Sequence, residues 1–109
     1  ETKKVAGFLR ILSWDAVPRI DKTIEYNWEP GKWYRLKLTT DIQEGKGIIR
    51  GKAWLRGDKE PAKWAIEVTD SNPNTEGAAT LYGYVQGNFN DQPGTEVYYD
   101  NLRIAPNKK

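Results

Sequence analysis

The chain has 109 residues, 17 Lys and Arg against 15 Asp and Glu, a net charge of +2, and no Cys, His or Met. One domain is predicted; the missing Cys excludes a disulfide scaffold, a thiolate nucleophile and a zinc–thiolate site, and the missing His removes the imidazole base of the usual acyl-transfer and metallohydrolase centres. So small a charge argues against nucleic acid as a partner, no apolar run reaches the roughly 18 residues of a membrane span, and five Trp and six Tyr are too many for a disordered tail.

The first apolar stretches, 5–12 and 20–26, predict strands. Residues 32–42 alternate cleanly, with Tyr34, Leu36, Leu38, Thr40 and Ile42 on one face and Trp33, Arg35, Lys37, Thr39 and Asp41 on the other. Residues 47–57 alternate as well: Ile49, Gly51, Ala53 and Leu55 share one face, and Ile48, Arg50, Lys52, Trp54 and Arg56 the other. Between the two runs, Gly45-Lys46 predicts a type II′ hairpin turn. That turn sets Leu36 opposite Leu55, Leu38 opposite Ala53 and Ile42 opposite Ile49. On the polar face it sets Arg35 opposite Arg56, Lys37 opposite Trp54, Thr39 opposite Lys52 and Asp41 opposite Arg50. Both faces stay sorted, which a one-residue slip would destroy.

Residues 62–70 predict the next strand, returning antiparallel with Trp64 beside Leu55, Ile66 beside Ala53 and Glu67 beside Lys52. Leu36, Leu38, Ile49, Leu55, Trp64 and Ile66 form the expected core. Two more strands, 80–86 and 95–105, flank the loop 87–94. A bulge at Asp100-Asn101 would turn Val97, Tyr99, Leu102 and Ile104 inward together without burying Asp100. No stretch sustains a helical period. Six or seven strands separated by Gly, Pro and Asn turns predict an all-β antiparallel sandwich of jelly-roll type.

Several segments carry a resemblance: Trp28-Glu29-Pro30-Gly31-Lys32-Trp33-Tyr34-Arg35-Leu36-Lys37-Leu38, Gly51-Lys52-Ala53-Trp54-Leu55-Arg56-Gly57 with Glu60-Pro61 and Trp64, residues 70–77, Leu81-Tyr82-Gly83-Tyr84, and Tyr98-Tyr99-Asp100-Asn101-Leu102-Arg103-Ile104. Together they resemble the second half of a concanavalin A-like (lectin/glucanase, laminin G-like) jelly roll. Such domains sit at the ends of bacterial exported proteins, including some with PQQ-type β-propellers, and others resemble the 3-keto-disaccharide hydrolase type of domain. The matching residues are turn and core positions, so the resemblance implies fold more than activity. Jelly rolls of that kind run to roughly 150–200 residues. This shorter chain, which opens on Glu1, is therefore expected to be a piece excised or processed from a larger protein. An upstream segment, a retained fragment or a second chain would then cover Ile49, Ala53, Leu55, Trp64 and Ile66. The expected location is extracytoplasmic, periplasmic or secreted.

Two constellations carry chemistry. The first is the polar hairpin face: Trp54 with Arg35, Arg56, Lys52 and Glu67, flanked by Lys37 and Arg50. An indole packs on the apolar face of a sugar ring while charged groups hydrogen-bond its hydroxyls. The competing reading is a solvated strand face that keeps the sheet soluble. The second is Asp70, Asn72, Asn74 and Glu76, whose alternating oxygens imitate a calcium loop. The sixth position of that loop is Thr75 and no bidentate Glu follows, so an Asx-turn connection is the preferred reading. No cofactor is expected, with calcium in this loop as the one alternative.

The carboxylates Asp58, Glu60, Glu67, Asp91 and Glu96 show no spacing that would converge two of them as a glycosidase requires. Two function classes follow. One is a non-catalytic binding module for glycan. The other is a structural or interaction domain that caps a larger exported protein. An enzyme reading trails both.

Overall fold

The computed structural model describes residues 7–14, 16–77 and 99–107. They contain five strands and no helix: β1 Phe8–Leu12, β2 Asp21–Glu25, β3 Tyr34–Gln43, β4 Lys46–Leu55 and β5 Ile66–Asp70. All pairings are antiparallel. β1 and β2 form one sheet, and β3, β4 and β5 form a second in that order. The fold class is all-β with two antiparallel sheets. The chain divides into two compact units, Glu1–Asn74 and Thr75–Lys109, and all five strands lie in the first.

The central hairpin forms where alternation predicts it, with a different turn. Gln43 pairs with Lys46, so the two loop residues are Glu44 and Gly45. Both have positive φ, 52° and 77°. This is the type I′ pattern, whose twist matches that of the flanking strands. The ladder is thereby displaced two residues from the expected one: Leu36 faces Ala53, Leu38 faces Gly51, Ile42 faces Gly47, Arg35 faces Trp54 and Lys37 faces Lys52. The side-chain period is two, so this displacement leaves both faces as the sequence sorts them.

β5 is displaced the same way. Ile66 faces Gly51, Val68 faces Ile49 and Glu67 faces Arg50, not Lys52. Small residues on β4 accept what lies over them. A Cβ at Gly47 would come 2.9 Å from Cβ of Pro73, and one at Gly51 would come 3.2 Å from Cγ2 of Ile66.

The core is small and lies over β4 and β5. Ala53 and Ile66 are buried, while Ile49, Leu55 and Trp64 are half-buried. β1 and β2 contact β5, where the Lys22 ammonium donates to the Glu67 carbonyl at 3.1 Å. The expected burial of Leu36 and Leu38 is corrected: they are 65% and 67% exposed, and Ile42 is exposed too. These residues share β3, and the two-stranded sheet makes its contacts at β5. A second correction concerns Trp64. It precedes β5, leaves the alternation, and lies against the cations of the polar face.

Tyr26, Trp28 and Tyr34 pack edge to face or tilted, with centroids 4.4 to 6.2 Å apart. The Trp28 indole donates to the Phe8 carbonyl at 3.2 Å, and the Tyr34 hydroxyl accepts from the Glu29 amide at 2.7 Å. Burial and the neighbouring Tyr34 push the Tyr26 phenol above its ordinary range.

In the second unit, 99–107 contains no strand, and Tyr99, Leu102 and Ile104 are exposed rather than turned inward. Asn101 has a φ of 56°. It therefore breaks the extended path at the site of the expected bulge and does not continue a ladder. The expected strand 80–86, the loop 87–94, and Val97, Asp91 and Glu96 lie outside the described residues.

Candidate functional site

The polar face of the large sheet divides into three parts, each set by the register. In the middle, Arg50 and Glu67 are opposite neighbours, and Nε of Arg50 lies 2.7 Å from Oε2 of Glu67. The pair is solvent-accessible, which keeps its contribution to the order of 1 kcal/mol or less. Glu67 is thus held by Arg50, and the Glu67–Lys52 pairing expected from the sequence is replaced.

Next to it, Lys52 is only 6% exposed. Its ammonium donates to the Pro61 carbonyl at 2.6 Å, sits 2.8 Å from Oε2 of Glu60, and lies 4.5 Å from the Trp64 ring centroid and 5.9 Å from that of Trp54. A buried ammonium needs such partners. Lys37 reaches the same Glu60 oxygen at 3.2 Å. Hydrogen bonds from Lys52, then Lys37, hold the Glu60 carboxyl below its ordinary pKa. Lys52 thereby fastens the loop after β4 to the sheet, and it is not available to a ligand.

The third part is the end of the face. Arg35 and Trp54 are opposite neighbours. Beyond the strand ends the ladder continues, because the Arg56 amide donates to the Trp33 carbonyl at 2.9 Å. Trp33 and Arg56 are therefore the next opposed pair. Side chains so opposed have Cβ atoms about 5 Å apart, and their diagonal neighbours are roughly 7–8 Å apart. The result is a checkerboard of two indoles and two guanidiniums. Arg35 and Arg56 are exposed, Trp33 is 46% exposed and Trp54 is half-buried. Among the described residues, no ion pair engages Arg35 or Arg56.

Of the sequence-derived set, Trp54, Arg35 and Arg56 are brought together, while Lys52 and Glu67 are committed elsewhere. Trp33, which the sequence suggests packs with Trp28 around the Pro30-Gly31 turn, is the residue missing from the sequence-derived ligand set. Its signal was the alternation itself, which already put it on the face of Arg35. An open depression of about 340 Å³ adjoins this end. Its lining includes Trp54, Tyr34, Asn27, Glu29, Asp58 and Lys59.

The candidate cation loop has a different organisation. Asp70 is 5% exposed, and its carboxylate takes Nε and Nη2 of Arg19 at 3.3 and 3.0 Å. It also accepts the Asn72 amide at 2.9 Å, closing an Asx turn. The Arg19 hydrogen bonds, then the Asn72 amide, lower its pKa. Arg19 reaches the Asn72 carbonyl too, at 3.3 Å. Asn74 and Glu76 are exposed. Among the described residues no three acidic, His or Cys side chains converge on one point. Among them, no helix is long and apolar enough to cross a membrane.

Comparisons with protein families, with curated proteins and with solved structures find no match.

Proposed function

We propose that the chain is a non-catalytic binding module that takes carbohydrate on the polar face of its large sheet. The observation that carries this reading is the half-exposed Trp54 with Trp33 diagonal to it and Arg35 and Arg56 at the other corners. Two indoles offset along a strand offer apolar surface to successive sugar rings, and guanidinium groups donate to hydroxyls from the sides. The neighbouring polar groups are already satisfied, so this end is where the face can accept a ligand. Concanavalin A-like jelly-roll topology and an extracytoplasmic location belong to the same proposal, and they rest on the resemblance of the segments quoted above. Calorimetric titration with oligosaccharides tests it. Binding that vanishes in Trp54→Ala, with the melting temperature nearly kept, supports the reading. Binding unchanged in Trp54→Ala defeats it.

A second reading is favoured by a separate observation. Leu36, Leu38 and Ile42 form an exposed apolar row along β3. A row of this kind suits a structural or interaction domain. Light scattering tests that reading: Leu38→Lys should abolish any association the native chain shows.

A further inference from the structure

We infer that the ligand of this face is an acidic glycan, a chain carrying uronate carboxylates, and that Arg35 and Arg56 read those carboxylates. This rests on the carbohydrate reading above and narrows it to one class. The charge pattern along the face is the reason. Each of the other cations on this face of β3 and β4 within the described ladder, apart from Lys46 at the turn, has an acidic partner: Arg50 has Glu67, and Lys37 and Lys52 share Glu60. Arg35 and Arg56 stand among indoles with no ion pair among the described residues.

Two unneutralised guanidiniums at diagonal positions repel each other modestly, and among the described residues no ion pair ties either to the fold. A bound anion removes that repulsion. The guanidinium fork matches a carboxylate in two parallel hydrogen bonds, a geometry that an ammonium lacks. The indoles supply what a bare anion site lacks, namely flat apolar surface for the ring that bears the carboxylate. The diagonal spacing, roughly 7–8 Å between stems, places one guanidinium against each of two carboxylates on a short chain. Glu29 and Asp58 lie in the adjoining depression beside Tyr34 and Leu55, which project from the opposite, apolar face. With Lys59 in the same lining the depression is still net negative, which disfavours an acidic sugar there and leaves it to the arginine side.

The test uses the full 109-residue chain and three probes: an oligogalacturonate, the same oligosaccharide fully methyl-esterified, and an oligothymidylate of similar length. The acid should bind, and weaken as salt is added. The ester should bind about tenfold or more weakly, having lost its charge-assisted hydrogen bonds. Arg35→Gln and Arg56→Gln should each weaken the acid about tenfold and the ester distinctly less, because the ester keeps only the hydroxyl contacts of the guanidiniums. Both arginines are exposed, so unaltered melting temperatures confirm that the variants fold. Equal affinity for acid and ester overturns the assignment of an acidic ligand while leaving carbohydrate binding standing. Binding of neither oligosaccharide overturns both. Tighter binding of the oligothymidylate than of the acid also overturns both, since aromatic stacking with phosphate contacts would then be the chemistry of the face.

Discussion

At the scale of single residues, the structure separates cations that hold the fold from cations that face outward. Lys52 and Arg35 are both basic residues on one face of the sheet, yet one is buried among Trp64, Trp54, Glu60 and Pro61 and the other is exposed. Composition cannot distinguish them. The difference comes from a loop that folds back over Lys52, and no local pattern announced it. Lys52→Ala should therefore cost about 1–3 kcal/mol in denaturant unfolding, because it leaves the Pro61 carbonyl without its donor and Glu60 with Lys37 alone. Arg35→Ala should cost almost nothing. Asp70 gives a pH prediction. Arg19 lowers its pKa below the ordinary 3.8, so the folded state binds that proton less readily than the unfolded chain. The resulting stability is present above pH about 4 and is lost as pH falls through the folded value. Asp70→Asn should flatten the acid limb of the stability–pH curve, and an unchanged limb would assign that limb to other groups. The same Arg19 contact occupies the carboxylate that calcium would need. Millimolar calcium should therefore leave the melting temperature unchanged, and a rise would show that the cation displaces the guanidinium.

At the scale of elements, alternation told which residues share a face, and it could not tell the register. A shift of two is invisible to a period of two. The turn residues had to decide it, and Glu44 is a poor advertisement for a left-handed position that Asn or Gly normally fills. Glu44→Asn should accordingly stabilise the chain by about 0.5–1 kcal/mol, read as a higher denaturation midpoint at constant slope. A neutral result would mean that the strain at φ 52° is relieved by other contacts of the turn. Gly47 is constrained differently, by Pro73 lying over it. Gly47→Ala drives a Cβ to 2.9 Å from a rigid ring carbon and should cost about 1–3 kcal/mol. Trp64 was misread for a related reason. Its hydrophobicity suits a core, but β5 begins at Ile66 and leaves the indole free to turn to the cationic side.

At the scale of the whole chain, the described sheets bury little. Among the described residues, Ala53 and Ile66 are the only buried large or aliphatic side chains, and the contacts of the two-stranded sheet fall on β5. All-β character and the positions of β1 to β5 were legible in the sequence, because they depend on local alternation, whereas the strand expected over 95–105 is not formed at 99–105. Coverage was not, because it depends on where distant segments pack. The ligand end of the polar face was half legible: the shared face of Trp33, Arg35, Trp54 and Arg56 follows from alternation, while the pairing of Trp33 with Arg56 needed the register. The most direct test of that end is an amide and indole NMR titration of the chain with oligogalacturonate. Each of the five tryptophans, Trp14, Trp28, Trp33, Trp54 and Trp64, contributes one indole N–H as a probe. The account predicts that Trp33 and Trp54 shift together with the amides of Arg35 and Arg56, while Trp14 and Trp28 stay in place. Shifts centred on Trp14 or Trp28, or none at all, would contradict it.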